Sequence, residues 1–287
     1  MMTVLFFEPQ DQPPTPPEDL AAALCRLGVV LAGADAAAYR PGTWTDSATG
    51  SRLICDLGEP PLESDTEHPP RAYAGWRTVL LAIHIPFCGP HWQAVEALCL
   101  VERLLAEVPG LAHLDCEDTA RDGEADPGPY PWSRPRLIAS WQRQHEAWIA
   151  GRPRMPRMHR GSSLRLWRYR RERAAGLAAR PEVVWPEALV LARRTSAGLA
   201  EPAGAAVWQD ATRPFVLPPV ELVVVVRPDG AGVVTARALL EECAGEELAQ
   251  GLARLILPDA ATRRFHAETA LLAQTGFAAL SDEEWVD

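Results

Sequence analysis

The sequence contains no lysine, so all 28 of its strongly basic residues are arginines. This composition, which is also rich in alanine, proline and glycine, is typical of a GC-rich bacterial genome that supplies arginine codons in place of lysine codons. The preference for arginine over lysine therefore says nothing about a ligand. The distribution of the arginines along the chain is the informative feature.

Targeting and membrane signals are also missing. The first residues, MMTVLFFEPQDQPP, lack the basic stretch of a secretory signal peptide. The longest apolar strings, at 79–83 and 222–226, are far too short to span a bilayer. The six cysteines include no CxxC pair, which favours reduced thiols over a disulfide framework. We therefore expect a cytoplasmic protein with no membrane partner.

Motifs of well-known catalytic and RNA-binding classes are absent as well. The sequence has no GxSxG, HExxH or DxDxDG string, and residues 229–232 lack the spacing of a phosphate-binding loop. No RNP1-like string or KH-type GXXG occurs. We therefore predict no cofactor and favour a function without catalysis, although the sequence leaves the question of an enzyme open.

The basic residues that are present are concentrated in one segment. Residues 152–180 hold ten arginines and one glutamate, a balance of +9, whereas the rest of the chain holds 18 arginines and 37 acidic residues, a balance of −19. The net charge of −10 argues against a protein whose whole surface binds nucleic acid. The segregation of charge instead predicts a local basic face that meets an anionic partner.

The fold class predicted from the pattern of elements is α+β. With 287 residues and 47% hydrophobic composition, the chain is long enough for one large or two small globular domains. Strands at 3–7, 51–56, 78–86 and 111–116 and helices after residue 16 and at 91–108 give the order βαββαβ. That order is the ferredoxin-like plan, which we assign to a domain of residues 1–118.

Two further regions follow this domain. Residues 119–182 are predicted to form an acidic loop and an Arg-rich and Trp-rich helical connector, which includes a helix at 136–150. Residues 183–287 are predicted to form a C-terminal α/β domain, with strands at 183–192, 205–209, 220–226, 252–257 and 277–280 and helices at 235–243 and 262–275. The order of elements is similar to that of the paired domains of CRISPR RNA-processing proteins. Their C-terminal glycine-rich loop has no counterpart here, so we assign no family.

The alternation of Leu164, Leu166 and Tyr169 with arginine would suit a strand, but we favour a helix over residues 168–179, with Ser162 or Ser163 as its cap. Leu164, Trp167 and Ala174 would then face the core. Arginine side chains suit phosphate and carboxylate groups, and neighbouring aromatic rings can stack on bases. The candidate macromolecule-binding residues are Arg154, Arg157, Arg160, Arg165, Trp167, Arg168, Tyr169, Arg170, Arg171 and Arg173.

Several kinds of anion could neutralise the arginines of residues 152–180. The nearest in sequence is the acidic stretch of residues 115–126, DCEDTARDGEAD, which would neutralise the arginines within the same chain. The alternatives are an acidic surface of another protein, RNA or DNA, and a small phosphorylated ligand. We favour self-neutralisation or another protein over nucleic acid, because the protein as a whole is acidic.

A second candidate site lies where the third strand meets the helix at 91–108. Cys88 and His91 are there, and Cys116 and Asp118 end the fourth strand, which runs in the same direction. Cysteine, histidine and carboxylate are zinc ligands, and a thiol ahead of a helix N-terminus has a lowered pKa. Because a Cys-x2-His pair is common by chance, we favour no metal here, and zinc or iron remains the alternative.

Three functional hypotheses follow from these observations. The first is a non-enzymatic interaction or adaptor subunit of a bacterial multiprotein system, which docks through the Arg/Trp-rich residues 141–173. The second is an RNA-binding or DNA-binding protein that uses the same residues. The third is a metal-dependent or thiol-dependent enzyme centred on Cys88 and His91.

Overall fold

The protein is a mixed α+β molecule. The computed structural model describes residues 1–33, 39–58, 73–115, 128–195, 198–199, 201–243, 245–248, 253–269, 272–273 and 276–287. The chain divides into two compact units, the first Met1–Phe87 with His91–Gly151 and the second Cys88–Pro90 with Arg152–Asp287. None of the helices within the described ranges combines the length and the apolarity needed to cross a lipid bilayer.

The first unit is built on one antiparallel sheet of six strands. The strand order is β2-β3-β4-β5-β1-β6, and every neighbouring pair runs antiparallel. Its elements are β1 (Met2–Pro9), α1 (Pro17–Arg26), β2 (Val30–Leu31), β3 (Arg40–Thr45), β4 (Arg52–Leu57), β5 (Trp76–Ile85), α2 (His91–Glu107), β6 (Ala112–Asp115) and α3 (Arg134–Ala150).

Local sequence explains the helices and the core of this unit. Helix α1 begins at Pro17, whose missing N–H costs nothing at the first helical position, and acidic residues in its first turn favour the helix dipole. Helix α2 is broadly apolar and buries residues such as Trp92 and Leu98. Both helices pack with alternate residues of the sheet into one hydrophobic core.

The second unit contains a seven-stranded sheet and a separate three-stranded sheet. The larger sheet has the order β15-β12-β11-β9-β7-β16, with β8 paired to β7, and the smaller has the order β10-β14-β13. The elements are α4 (Arg160–Ala179), β7 (Ala188–Thr195), β8 (Gly198–Leu199), β9 (Ala203–Trp208), β10 (Phe215–Leu217), β11 (Leu222–Arg227), β12 (Gly230–Thr235), α5 (Ala236–Glu242), β13 (Gly245–Glu247), β14 (Arg254–Ile256), α6 (Ala260–Glu268), β15 (Leu272–Ala273) and β16 (Phe277–Leu280).

Strand β11 lies in the interior of the larger sheet. It pairs in parallel with β9 and antiparallel with β12, through a tight turn at residues 228–229. Val223 and Val225 contribute to the main core of the unit, and Val224 contributes to a second apolar cluster on the opposite face. Apolar contact on both faces explains the continuous apolar run in the sequence, as expected for a buried strand.

Two predicted elements have the wrong extent, and one strand was not predicted. The strand expected at 183–192 begins only at residue 188, because Pro186 has no N–H for a sheet ladder. The helix expected at 262–275 ends at Glu268, where the Arg227 guanidinium donates to the carbonyl groups of His266 and Ala267 at 3.2 and 2.8 Å. Strand β3 was not predicted, because residues 40–45 include proline and glycine and show no alternation.

Candidate docking surface

Helix α4 carries most of the arginine segment, and its start is held in place by the C-terminus. The Met158 N–H donates to the Val286 carbonyl at 2.8 Å, and the Val286 N–H donates to the Pro156 carbonyl at 3.0 Å. The Met158 side chain is buried in the core of the second unit. The proline-containing stretch that precedes the helix is therefore part of the folded unit.

The cap of α4 differs from the prediction. The His159 ring, which precedes the helix, accepts a hydrogen bond from the Gly161 N–H at 3.1 Å. Ser163 is fully buried, and the Ser162 hydroxyl donates to Glu221 instead of capping the helix. The predicted serine caps are wrong, because the helix begins at Arg160, before either serine.

The inward face of α4 also differs from the predicted one. The buried residues are Ser163, Leu166 and Tyr169, and not Trp167 or Ala174. The Tyr169 hydroxyl donates to the Pro186 carbonyl at 2.9 Å, and burial raises the pKa of this phenol. Further along the same face, the Trp185 ring lies directly against the backbone of Gly176. This contact leaves no room for a side chain at residue 176 and places residues 166, 169 and 173 toward the protein.

Two of the candidate arginines belong to this inward face. Arg170 Nη1 lies 2.6 Å from Asp282 Oδ2, and Arg170 Nη2 donates to the Ala188 carbonyl at 3.2 Å. Arg173 Nε donates to the Trp185 carbonyl at 3.1 Å. Together with the buried Tyr169, these side chains connect α4 to the rest of the second unit, so their positive charge is directed inward.

Arg165 occupies an intermediate position. Its Nη2 donates to the Ser162 hydroxyl at 3.0 Å and lies 3.8 Å from the Glu221 carboxylate. Glu221 and Asp282, the acidic partners of Arg165 and Arg170, were not identified from the sequence. Each lies more than 50 residues along the chain from its arginine, so only the tertiary fold brings the two side chains together.

The remaining candidates form an exposed basic surface. Arg171 lies over the half-buried Trp167 ring, with its guanidinium carbon 5.6 Å from the ring centre. Arg160 and Arg171 are separated by eleven residues of α4, or about 16 Å along the helix axis. We name the following residues the outer arginine surface: Arg154, Arg157, Arg160, Trp167, Arg168 and Arg171, whose arginines are all exposed.

Of the four metal and thiol candidates, only Cys88 and His91 lie within the described ranges. Cys116 and Asp118 lie outside the described ranges, as do residues 116–126 of the acidic stretch. Within those ranges, no group of three or more His, Cys, Asp or Glu side chains is placed to hold a metal ion. Burial raises the pKa of the Cys88 thiol, which is opposite to the lowering expected ahead of a helix N-terminus.

Comparison with known proteins adds no functional information. No protein-family model, no curated protein and no solved structure matches this chain. The function must therefore be inferred from the geometry of the chain itself, and the outer arginine surface is the strongest basis for it.

Proposed function

We propose that the protein is a docking or adaptor subunit of a bacterial multiprotein system, and that its outer arginine surface binds an acidic face of another protein. The observation that carries the proposal is the sorting of arginines on a single helix. Arg170 and Arg173 are directed inward, whereas Arg168 and Arg171 are exposed. Exposed arginine beside tryptophan is also the composition found at the energetic centres of protein interfaces.

Charge favours a protein partner over nucleic acid. The chain outside residues 152–180 has a balance of −19, which repels a long polyanion such as RNA or DNA. An acidic patch on a folded partner interacts mainly with the charges nearest to it, because salt screens the others beyond about 10 Å. In addition, one face of the Trp167 ring is covered by Arg171, which leaves less of the ring for base stacking.

The proposal is tested by capture of partners from the native host. The bait is the full chain, compared with a variant in which Arg154, Arg168 and Arg171 are changed to Glu. The matched control changes three exposed arginines outside the segment, Arg52, Arg103 and Arg254, to Glu, which alters the net charge by the same amount. We expect a defined protein that is retained by the wild type and the control and is lost from the first variant.

Two results would contradict docking to a protein. Nuclease-sensitive nucleic acid in the eluate, with a steep fall in affinity as salt rises, would favour the RNA or DNA hypothesis. Equal retention of every captured protein by the two charge-reversal variants would show that the outer arginine surface does not contribute.

We also propose that the first unit follows the ferredoxin-like plan and that the protein is cytoplasmic. The antiparallel order β4-β5-β1-β6, with α1 and α2 as the connecting helices, supports that plan, with β3 and β2 added at one edge. All five cysteines in the described ranges are free thiols, in agreement with a reducing compartment. An experimental structure with another strand order, or secretion of the protein by its host, would contradict these two proposals.

A further inference from the structure

Four polar side chains form a chain of hydrogen bonds on the sheet of the first unit. Thr3 Oγ1 lies 3.1 Å from His84 Nδ1, and His84 Nε2 lies 2.8 Å from Asp56 Oδ2. The Tyr39 hydroxyl donates to Asp56 Oδ1 at 2.6 Å. Thr3 and His84 are register partners on β1 and β5, and Asp56 lies on the adjacent β4. We name these four residues the relay.

The relay lies on the sheet face opposite the helices. The residues on either side of Thr3, His84 and Asp56 are buried in the core that contains α1 and α2. Because strand side chains alternate, the three relay residues point to the other face. Ile54 and Leu80 share that face and are 44% and 49% exposed. Because Ile54 is the register partner of His84, an apolar group bound beside that ring would meet the Ile54 side chain.

The hydrogen bonds define the direction in which a proton can move. An ionised carboxylate only accepts, so His84 Nε2 carries the proton that bonds to Asp56. Nδ1 is then the basic nitrogen, and it accepts from the Thr3 hydroxyl. Nδ1 is therefore placed to take the proton of the Thr3 hydroxyl. An activated nucleophile has this arrangement: a hydroxyl is hydrogen-bonded to a base, and a third group orients the base.

We propose that Thr3 is a catalytic residue that accepts an acyl group from esters with an apolar acyl chain. Thr3 Oγ1 attacks the ester carbonyl carbon, its proton passes to His84 Nδ1, and the bond from that carbon to the leaving oxygen breaks. The alkoxide or phenolate leaves with the electron pair of that bond, and the proton on the imidazole passes to it. Water then attacks the carbonyl carbon of the threonyl ester and gives a proton to His84 Nδ1. The bond from that carbon to Thr3 Oγ1 breaks, the carboxylic acid leaves, and Thr3 Oγ1 takes the proton back from the imidazole.

The proposal is independent of docking, because the relay lies in the first unit and the outer arginine surface lies in the second. The test incubates the full chain with p-nitrophenyl butyrate, whose phenolate departs readily. Release of nitrophenolate and the mass of the intact protein are followed together. In samples quenched with acid before the threonyl ester hydrolyses, we expect one butyryl group per chain, mapped by peptide mass spectrometry to Thr3.

Four variants decide the result. Thr3→Ala and His84→Gln should lower the acylation rate at least about 100-fold, the usual contribution of a positioned base or nucleophile. Thr3→Ser should retain acylation because it keeps the hydroxyl. Thr43→Ala is the matched control, because Thr43 is the register partner of Ile54 on the same face but is outside the relay. Label on another residue, or an unchanged rate in a folded Thr3→Ala protein, would overturn the proposal.

Asp56 is a positioning residue, since it acts through His84. In Asp56→Asn the dependence of the acylation rate on pH should change its midpoint, because the carboxylate no longer orients and stabilises the imidazole. A variant that only perturbs the fold would lower the rate equally at every pH. An unchanged midpoint in Asp56→Asn would exclude the carboxylate from the relay.

Discussion

Arg168 and Arg170 lie two positions apart on α4 and have opposite surroundings. The Arg170 side chain is only 16% exposed and forms an ion pair with Asp282. Arg168 is exposed, and within the described ranges its side chain makes no hydrogen bond or ion pair. The comparison shows that a count of arginines overstates the charge available to a partner. The rotation of the helix directs some arginines into contacts within the protein and others into solvent.

Two histidines also differ between an exposed and a buried position. His159 is exposed at the start of α4, where it caps the helix. His113 is completely buried in the first unit, edge-on to the rings of Tyr130 and Trp132 at 4.6 and 5.3 Å. Burial, with a smaller contribution from Arg136, lowers the pKa of His113 from 6.5 to about 4. Burial therefore favours the neutral form of the His113 imidazole, whereas the Arg170 guanidinium is paired with the Asp282 carboxylate.

The largest expected effect is the acid sensitivity that His113 causes. Between pH 6.5 and 4 the unfolded chain binds a proton that the folded chain excludes, so stability is complete above pH 6.5 and falls below it. The loss due to this residue should reach about 3 kcal/mol at pH 4. Urea unfolding at several pH values should show a flatter pH dependence for His113→Phe than for the wild type. If the unfolding free energies of the two proteins changed equally with pH, the His113 imidazole would not be held neutral in the folded protein.

A smaller loss is expected when the inward arginine is removed. Arg170→Ala removes the ion-pair partner of Asp282 and one donor to the Ala188 carbonyl, so the unfolding free energy should fall by about 2 kcal/mol. The measurement is the urea midpoint at pH 7. Arg168→Ala is the matched control, two positions away. An equal loss of unfolding free energy in Arg170→Ala and Arg168→Ala would contradict the assignment of the two arginines to an inward and an outward face.

The contact that orients α4 can be tested at Gly176. A Cβ atom there would lie 2.5 Å from the Trp185 ring, so Gly176→Ala should destabilise the protein by about 1–2 kcal/mol in spite of the better helix propensity of alanine. Trp185→Leu should suppress this penalty in a double-mutant cycle, because the ring is gone. If the two changes were simply additive, Trp185 would not set the rotation of the helix.

The smallest effect on stability is expected for the outer arginine surface. Arg168→Ala and Arg171→Ala should each change the unfolding free energy by less than about 0.5 kcal/mol, as is usual for exposed positions. Binding of the captured partner should nevertheless weaken, and the weakening should diminish at high salt because exposed charges are screened. Thermal unfolding and a binding titration on the same samples separate the two quantities.

Much of the fold was predictable because its elements have strong local signals. Pro17 and the acids after it mark the start of α1, and the apolar run of β11 marks a buried strand. The predicted mixed α+β class is confirmed, and helix α4 is confirmed over its predicted residues. Strand β3 and the end of α6 could not be predicted, because a neighbouring strand determines the first and the distant Arg227 determines the second.

The candidate site was predictable only as a stretch of sequence. The arginines of 152–180 were identified, but the pairing of Arg165 and Arg170 with Glu221 and Asp282 depends on contacts across more than 50 residues. The expected partner of the arginines, residues 115–126, stays a prediction. The relay was missed for a similar reason, because Thr3, Asp56 and His84 become neighbours only through strand register.

The sequence by itself determined that positive charge is concentrated in one helix of an acidic protein, because composition and helical propensity are local properties. The tertiary structure alone decided which arginines are inward, since that depends on the contact of Trp185 with Gly176 and on an acid that is distant in the sequence, Asp282. Burial and distance set the cost of an unpaired charge, and neither is defined until the chain has folded.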